Sequence, residues 1–521
     1  MRILLDEEGL ENDFAWSLVY NTFAYTNHTV LPEALEKWDV GLMTHLLPRH
    51  MEIIYLINHF FLERMGKKFP GDGDKLQRLS IIEEADHKRV RMANLCIIGS
   101  HTVNGVAAIH SELLKTTLFK DFYEIFPHKF QNKTNGVTPR RWIVCCNPEL
   151  AALYSKHLGN KDWPADLAQI AQLNGKENDA DFRKAWADIK MRNKKRLANW
   201  VYKNCGVAIN ENTLFDIQIK RIHEYKRQLM NAFYCIHKYL KLKEMSPSER
   251  AKQVPRTVLF GGKAAPGYVQ AKRIIKLIGG IQQTVNRDKE TKDYLKVVFM
   301  PNYNVSACEV IVPASEISQH ISTAGTEASG TSNMKFCMNG CLILGTWDGA
   351  NVEIAKECGE ENMFIFGAKV HEVDKLRNKM RNTDPLEYCG SDLRKVFNVI
   401  DEGMFGSKEE LSQLVDVVRN KSDHYLVCHD FASYCEAQDK VDQAYKNKDE
   451  WIKKSIRTAL NSAQFSSDRT INQYSDEIWK IEPVEISSPA TNALQRVRKN
   501  SVPTNLNEME KTNSKGDLST F

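Results

Sequence analysis

The first 140 residues carry apolar side chains at spacings of three and four, a pattern that predicts amphipathic helices. The pattern is clearest in "LENDFAWSLVYNTFAY" from Leu10 and in "LLPRHMEIIYLINHFFLERM" from Leu46. Strand-like alternation is not evident before about Phe130, so residues 1–140 are predicted to be mainly helical. The segment "FQNKTNGVTPRRW", rich in Asn, Thr, Gly and Pro, then predicts a loop and a domain boundary near residue 140.

From about residue 141, helical stretches alternate with short apolar runs that are rich in β-branched residues. Four of these runs predict buried strands: "LFDIQIKRI", "RTVLFGGK", "LKVVFMPNY" and "CLILGTWDG". Strands that alternate with helices pair in parallel, which predicts an α/β fold with a doubly wound sheet over residues 141–483. Because such sheets bind ligands beyond the carboxyl ends of their strands, the residues that follow each run are the candidates for chemistry.

The composition is that of a large globular protein. The chain has 521 residues, 42% of them hydrophobic, and a net charge of +5. That length is enough for two or three domains, and the charge is too small for a nucleic-acid-binding surface. The most apolar long window, "IIYLINHFFL", is shorter than the roughly 18–20 residues of a membrane span. Twelve cysteines without a C-x-x-C pair indicate reduced thiols in a cytoplasmic protein, and we expect no metal site, nucleic acid or membrane.

The residues beyond Pro483 have a different character. This stretch, 484–521, contains few large apolar residues and many Ser, Asn, Thr and Lys residues. It cannot bury enough apolar surface to offset its ordering entropy, which predicts a disordered polar tail.

A cationic cluster follows the first predicted strand of the second region. Lys220, Arg221, His223, Lys226 and Arg227 come directly after "LFDIQI" and lead into a predicted helix. Arginine and lysine next to a helix N-terminus suit a multiply charged anion. A solvated helix face is the alternative interpretation, and the position of the cluster at a strand end favours the anion site.

A segment almost free of bulky side chains, "STAGTEASGTS", precedes Lys335. Small residues let backbone N–H groups approach an anion closely. A helix capped by Thr331 or Ser332 is predicted next, with Lys335 near its start and its end near Asn339 and Gly340. Desolvation disfavours the charged form of a lysine among Met and Phe side chains, and a pyridoxal phosphate Schiff base requires a neutral amine beside a phosphate-binding turn. A structural lysine without a cofactor is the alternative.

The stretch "EASGTSNMKFCMN", from Glu327 to Asn339, resembles the pyridoxal phosphate attachment signature of the α-glucan (glycogen and starch) phosphorylases, with Lys335 at the attachment position. Further segments are similar to that family, in the family's order along the chain: "AYTNHTVLPEALEKW", "GSHTVNGVAAIHSE", "FQNKTNGVTPRRW", "FDIQIKRIHEYKRQL", "GGKAAPGY", "GTWDGANVEI" and "FSSDRTINQYSDEIW". The resemblance covers the chain from about Met1 to Pro483 and leaves only the tail outside it.

The resemblance implies roles for individual residues. Lys335 would carry pyridoxal phosphate covalently, in a pocket lined by the other cofactor-binding residues, Lys220, Tyr303, Trp142, Gly330 and Thr331. Arg221 and Lys226 would hold the substrate phosphate against the phosphate of the cofactor. The glucosyl unit would bind to His28, Asn135, Glu327, Ser329 and Gly330. The residues expected to take part in catalysis are therefore Lys335, Arg221, Lys226 and His28.

For the whole chain the resemblance implies a GT-B arrangement, in which two Rossmann-like domains surround a cleft. Residues 1–140 would belong to the first domain and residues 141–483 to the second. The implied activity is phosphorolysis, in which orthophosphate cleaves α-1,4-glucan chain ends of glycogen or starch and releases α-D-glucose 1-phosphate. The 5′-phosphate of the cofactor would act as proton shuttle, and two adjacent phosphates would require a cationic cage. The resemblance also implies a homodimer, since the family is usually dimeric.

Three features depart from the family pattern. Ser332 stands where animal members often have Gly, and Asn304 stands where some members carry Arg. The family also has a substantial N-terminal portion ahead of the position that matches Met1. The first domain is therefore expected to be incomplete, with exposed apolar faces, and the activity of this chain alone is expected to be impaired.

Three other functions compete with this interpretation. A nucleotide-sugar glycosyltransferase of the same architecture would also hold a diphosphate with basic residues, but it would need no cofactor on Lys335. A truncated, non-catalytic glucan-binding protein would bind glycogen without releasing glucose 1-phosphate. A conventional amino-acid pyridoxal enzyme would leave the sugar-binding residues unexplained.

Overall fold

The computed structural model describes residues 1–384, 387–420 and 423–484. One compact unit spans Met1–Ile471, and a second begins at Asn472. Apart from Val484, the predicted tail lies outside the described residues, and the predicted domain boundaries near residues 140 and 483 stay predictions. The α/β class that the sequence predicts is confirmed.

Helices account for most of the regular structure. Segments of π-helix lie at Leu114–Leu118, Arg140–Cys145 and Ser475–Trp479. Within the part of the chain that the structure describes, no helix is both long enough and apolar enough to cross a membrane. The α-helices, α1 to α22 in chain order, are Arg2–Asp6, Asn12–Thr22, Val40–Leu46, Pro48–Lys68, Gly73–Leu79, Met92–Ile98, Ala108–Leu113, Lys120–Ile125, Pro148–Leu158, Ala180–Cys205, Gln228–Glu244, Pro247–Arg250, Val269–Arg287, Val305–Ala314, Ser332–Met338, Asn351–Cys358, Val370–Asn382, Ser391–Asp401, Lys408–Arg419, Val427–Lys446, Lys448–Leu460 and Ser467–Tyr474.

Within the described ranges, the strands form three sheets, two of three strands and one of six. In chain order, β1 to β12 are Ala24–Thr26, Lys37–Asp39, Ile82–Glu83, Arg89–Arg91, Thr102–Gly105, Phe130–Asn132, Leu214–Ile219, Arg256–Gly261, Leu295–Met300, Ile317–His320, Leu342–Gly345 and Met363–Ile365.

The large sheet has the strand order β12-β11-β10-β7-β8-β9, and each pair of neighbours is parallel. The four apolar runs of the sequence correspond to β7, β8, β9 and β11, so the predicted parallel sheet is confirmed. The pattern does not predict β10 and β12. Strand β10 reads ISQH, with three polar residues that are nevertheless buried, and β12 has only three residues.

Both faces of the large sheet are covered, as expected for a doubly wound fold. Leu214, Val258 and Val297 pack into the core on one face. Their neighbours along the strands, Phe215, Leu259 and Val298, pack into the core on the other face. Consecutive strand residues point to opposite faces, and here both faces are apolar, so the strands read as continuous hydrophobic runs.

Residues 1–140 are rich in helix, as predicted, but five strands precede Phe130. β1, β5 and β6 form a parallel sheet, and β2, β4 and β3 form an antiparallel one. These strands escape the sequence pattern because those before Phe130 have only two to four residues, too few for alternation to show. A third core, which includes Phe61, Val103 and Phe122, packs helices α4 and α8 against β5.

Chain order and strand order diverge at one place in the large sheet. From β7 the chain adds β8 and β9 on one side, and it then returns to place β10 on the other side of β7. The connections that leave the carboxyl ends of β7 and β10 therefore run apart and leave a crevice between them. Open α/β sheets bind their ligands at such a switch point.

Candidate active site

A cavity of about 250 Å³ lies at the carboxyl ends of β7 and β10. Its lining consists of Ile219, Lys220, Lys226, Tyr303, His320, Ser322, Glu327, Ser329, Gly330, Thr331, Ser332, Asn333, Lys335, Asp348 and Asn351. All of these residues belong to the region after residue 141. The fold thus brings together a large part of the predicted site, namely Lys220, Lys226, Tyr303, Glu327, Ser329, Gly330, Thr331 and Lys335.

Lys335 reaches the cavity from the short helix α15, Ser332–Met338. The helix ends at Asn339, followed by Gly340 at a φ of 65°, which confirms the predicted helix end. The Lys335 Nζ lies 3.9 Å from the centre of the Trp142 ring. Burial lowers the pKa of Lys335, so the predicted shift toward the neutral amine is confirmed in direction.

Lys220 and His320 face each other across the switch point. Lys220 Nζ lies 3.2 Å from His320 Nδ1, and His320 Nε2 lies 3.0 Å from the Ser318 hydroxyl. Burial, with a contribution from the nearby Lys226 charge, lowers the pKa of Lys220 to about 7. Burial also holds the pKa of His320 well below its usual range. An anion bound here would restore the charge on Lys220, because a neighbouring negative charge favours the ammonium.

Glu327 is held by two side chains of the segment that follows β7. Lys226 forms an ion pair with its Oε2, and the Tyr225 hydroxyl donates to its Oε1 over 3.3 Å. The Lys226 ammonium also lies 4.5 Å from the centre of the Tyr225 ring. The carboxylate is therefore fixed in orientation beside the cationic part of the cavity.

Asp348 organises the segment after β10 and is not among the residues predicted from the sequence. The buried carboxylate accepts hydrogen bonds from the Ser322 hydroxyl at 2.6 Å and from the backbone N–H groups of Gly325 at 2.8 Å and Glu327 at 2.9 Å. Burial raises the pKa of Asp348 to about 6, against the opposing effect of these donors. The signal that could have identified Asp348 is its position in "TWDG", directly after β11.

The turn of small residues packs closely against the segment that follows β11. Gly330 has a φ of 73° and Gly349 a φ of 51°. A Cβ atom at position 349 would lie 2.5 Å from the Ser329 carbonyl oxygen, and that oxygen accepts a hydrogen bond from the Ala350 N–H at 2.7 Å. Only glycine fits at position 349, which explains why the turn can lie so close to the cavity.

Tyr303 and Asn304 follow β9 and have different environments. Tyr303 is half-buried against the cavity, and burial raises the pKa of its hydroxyl. Asn304 is exposed, and its side chain accepts a hydrogen bond from the Ala307 N–H at 3.0 Å at the start of α14. The residue that stands where some family members carry Arg therefore caps a helix here.

Four predicted residues lie outside the cavity lining. His28 and Arg221 are exposed, and Asn135 is half-buried in the segment after β6. Trp142 is buried and contacts the side chain of Lys335 instead of lining the cavity. The cavity thus brings together eight of the twelve predicted site residues, and the roles assigned to all twelve stay predictions.

The chemistry of the lining suits a phosphate-bearing ligand with a reactive carbonyl group. Lys220, Lys226 and Lys335 outnumber the two carboxylates, Glu327 and Asp348, so an anion is favoured. The lowered pKa of Lys335 favours the neutral amine, which is the nucleophilic form of the side chain. Nowhere in the described ranges do three His, Cys, Asp or Glu side chains cluster so as to hold a metal ion.

This fold and this cavity agree with a family assignment. The family model of the carbohydrate phosphorylases matches residues 1–481, and the chain belongs to that family. The chain is 50% identical over 503 residues to glycogen phosphorylase 2 of Dictyostelium discoideum and 51% identical over 487 residues to the cytosolic alpha-glucan phosphorylase 2 of Arabidopsis thaliana. It is 51% identical over 492 residues to the muscle form of glycogen phosphorylase of Bos taurus.

The three relatives are longer than this chain. The matches cover 95%, 92% and 94% of this chain but 50%, 58% and 58% of the relatives. The chain therefore spans about half the length of the curated relatives that it matches.

Proposed function

We propose that this protein catalyses the phosphorolysis of α-1,4-glucan chain ends to α-D-glucose 1-phosphate, with pyridoxal phosphate bound at Lys335. The observation that carries the proposal is the cavity at the switch point, where three lysines, a turn of small residues and the Glu327 carboxylate converge. Membership of the carbohydrate phosphorylase family supports the same reaction. The GT-B arrangement, with residues 1–140 and 141–483 in its two domains, is part of the proposal.

The residues around the cavity would hold the cofactor by charge, by ring contacts and covalently. Lys335 would be the point of attachment, surrounded by Lys220, Tyr303, Trp142, Gly330 and Thr331. When bound, pyridoxal phosphate would supply a phosphate group that exchanges protons with the substrate phosphate. Lys220 would take up a proton as the anion binds, because its pKa of about 7 reflects burial and the nearby Lys226 charge, which the Glu327 carboxylate offsets only in part.

The reaction balances between glucan and orthophosphate. The C1–O bond at the chain end breaks, the glycosidic oxygen receives a proton from orthophosphate, and a phosphate oxygen forms the new bond to C1. Arg221 and Lys226 would hold the orthophosphate, and their charges would offset the repulsion between two neighbouring phosphates. The glucosyl unit would bind to His28, Asn135, Glu327, Ser329 and Gly330. Unlike hydrolysis, this reaction requires no pair of catalytic carboxylates.

The names of the relatives support the setting of the reaction. They specify glycogen or alpha-glucan as the polymer, and one of them specifies the cytosol. We extend both to this protein, which would act on glycogen or another α-1,4-glucan in the cytoplasm. A homodimer is proposed from the family resemblance alone.

Reductive trapping tests the cofactor half of the proposal. The protein is incubated with pyridoxal phosphate, reduced with borohydride and mapped by peptide mass spectrometry. We expect the pyridoxyl group on Lys335 and its loss in Lys335→Ala. Lys356→Ala, which removes an exposed lysine of α16, is the matched control and should retain the adduct. An unmodified Lys335 in the wild-type protein would contradict the proposal and favour a nucleotide-sugar glycosyltransferase.

Product analysis tests the reaction itself. Glycogen and orthophosphate should yield glucose 1-phosphate, and no product should form when phosphate is left out. Release of free glucose without phosphate would contradict phosphorolysis. Binding of glycogen with an adduct on Lys335 but no product would support the non-catalytic glucan-binding alternative for this chain.

A further inference from the structure

The side-chain amide of Asn339 links the backbone of Lys335 to the backbone of Trp142. Asn339 is 1% exposed and follows the last residue of α15. Its Nδ2 donates to the carbonyl oxygen of Trp142 at 2.7 Å and to that of Lys335 at 3.0 Å. One amide group therefore ties the backbone of the lysine to the backbone of the tryptophan that its ammonium contacts.

The end of α15 explains why a side chain has to supply this bond. In a regular helix the Asn339 N–H would donate to the Lys335 carbonyl oxygen four residues earlier. Here the last turn tightens, and the Asn339 N–H donates to Phe336 O at 3.1 Å. The Asn339 side chain takes over the Lys335 carbonyl, which would otherwise lose its helical partner.

A chain of buried asparagines fixes the orientation of this amide. Asn339 Oδ1 accepts from Asn147 Nδ2 at 3.0 Å, and Asn147 Oδ1 accepts from Asn193 Nδ2 at 3.0 Å. Asn147 and Asn193 are themselves buried. A flip of the Asn339 amide would place its oxygen against two carbonyl oxygens, so only one orientation satisfies the chain.

A buried lysine holds the main chain of the same residue. Lys190 Nζ donates to the carbonyl oxygens of Asn339 at 3.1 Å, Pro313 at 2.8 Å and Ser315 at 2.8 Å. This ammonium binds carbonyl groups at the C-terminal ends of α14 and α15, where the helix dipoles favour a positive charge. Asn339 is thus restrained through its backbone and its side chain, more than a simple helix end requires.

We propose that Asn339 is a positioning residue, which sets the place of the Lys335 amine relative to the Trp142 ring and so prepares the lysine for pyridoxal phosphate. This inference rests on the proposed function of the cavity. Loss of the amide would release the Trp142 and Lys335 carbonyl groups together, and the 3.9 Å contact between amine and ring would no longer be fixed.

The test compares two buried asparagines that both bond to a carbonyl four residues earlier. Asn339→Ala removes the bonds to Lys335 and Trp142. The control, Asn362→Ala, removes the bond from Asn362 Nδ2 to Cys358 O at 2.7 Å, outside the cavity lining. Binding of pyridoxal phosphate is measured by absorbance titration, and the pH dependence of borohydride-trapped labelling of Lys335 reports the state of its amine.

We expect Asn339→Ala to weaken pyridoxal phosphate binding at least ten-fold and to raise the midpoint of Lys335 labelling by on the order of one pH unit, because water gains access to the amine. Asn362→Ala should bind the cofactor as the wild type does. Asn193→Ala, at the far end of the asparagine chain, should weaken binding about three-fold. If Asn339→Ala does not fold, this variant tests the positioning role instead.

Unchanged binding and labelling in Asn339→Ala, or in Asn193→Ala where only that variant folds, would overturn the positioning role while leaving the proposed function intact. Equal losses in the Asn339 and Asn362 variants would also overturn it, since they would reflect stability alone. A wild-type protein that never labels at Lys335 would overturn both this inference and the proposed function.

Discussion

Residues 1–140 and residues 141–471 bury their apolar side chains very differently. Among the described residues of the first region, the exposed large hydrophobic side chains are Ile3, Phe14, Leu18, Phe23, Trp38, Leu42, Leu46, Leu47, Tyr55 and Phe60. The second region is more than twice as long and exposes half as many, Tyr202, Val269, Val305, Met404 and Ile471. An apolar groove of about 550 Å³ also lies in the first region. This region therefore presents a surface of the kind that associates with other apolar surfaces.

The second region is built around a sheet that is covered on both faces. Strands β7 and β8 are buried along their whole lengths. Every residue that lines the cavity belongs to this region, within residues 219–351. The second region therefore builds the cavity alone, whereas the first region contributes only His28 and Asn135 to the predicted sugar-binding set.

Loss of the buried ion network in the large sheet should have the largest effect on stability. Arg256 is fully buried and donates to Asp216 and Asp442, each at 2.7 Å. Arg256→Ala would leave the Asp216 carboxylate buried without its cation, at a cost of about 3–5 kcal/mol in the free energy of unfolding. Urea unfolding, with hydrogen exchange in β7 and β8 to locate the change, measures it.

The first region offers the matched control for that measurement. Arg78 donates to Asp121 at 2.7 Å, but this ion pair is largely solvated. Arg78→Ala should therefore change the free energy of unfolding by about 1 kcal/mol or less. Similar losses in the two variants would break the distinction between a buried framework in one region and solvated pairs in the other.

Asp348→Asn should have the next largest effect and should act on the cavity. An amide can replace only one of the two carboxylate oxygens as acceptor, so donors among Ser322, Gly325 and Glu327 lose their partner. We expect a loss of about 1–3 kcal/mol in the free energy of unfolding and weaker sulfate binding in the cavity. Thermal unfolding and calorimetric titration with sulfate test this.

Asp423→Asn is the control that separates a loss of stability from a loss of sulfate binding. Asp423 is also buried, and it accepts from the backbone N–H groups of Val427 at 3.0 Å and Cys428 at 2.8 Å, away from the cavity lining. It should lose similar stability and bind sulfate normally. If both variants weaken sulfate binding equally, Asp348 has no specific role in shaping the cavity.

The parts of the fold that could be predicted are those in which local sequence and burial agree. β7 and β8 are apolar runs because both faces of the sheet are covered, and α15 ends where Asn339 and Gly340 stop a helix. β10 could not be predicted, because its polar residues Gln319 and His320 are buried against partners that lie far away in sequence. Gln319, for instance, donates to Asp216 at 2.7 Å.

The residues of the candidate site also divide into those that the sequence could predict and those that it could not. Lys335 and Lys220 could be selected because each stands in a local pattern, a signature or a strand end. Asp348 also follows a strand, but its role depends on donors from another segment, which no local pattern indicates. Arg221 belongs to the same basic cluster as Lys220 and is nevertheless exposed, since residue type and strand-end position do not determine which side chains of a cluster turn inward.

The charge state of Lys220 should give the cavity a pH-dependent affinity for anions. Burial lowers the pKa of Lys220 to about 7, below the ordinary value of about 10.4. The unfolded chain thus binds more protons between about pH 7 and pH 10, and this group's contribution to stability rises with pH in that window. Anion binding needs the ammonium, so the affinity for sulfate should fall on the order of ten-fold as pH rises from 6 to 9.

Sulfate is the right probe for this effect because it does not titrate in the same range. Lys220→Arg is the matched variant, since its guanidinium remains charged throughout. Its affinity for sulfate should stay nearly constant with pH. A wild-type affinity that is also constant would contradict the lowered pKa of Lys220 and remove one cation from the proposed cage.

The smallest effect on stability is expected from substitutions on the exposed apolar surface of the first region. Leu42 and Leu46 lie on α3 with 43% and 63% of their surface exposed, so changing both to Lys should alter the free energy of unfolding by about 0.5 kcal/mol or less. Binding of a hydrophobic dye should nevertheless fall clearly, because both side chains are large, apolar and exposed in a region that exposes many such side chains. Met404→Lys, at an isolated exposed position of the second region, should leave dye binding unchanged. If both variants reduce dye binding equally, the exposed apolar residues of the first region do not act as one surface. The two regions would then differ only in the number of their exposed apolar side chains.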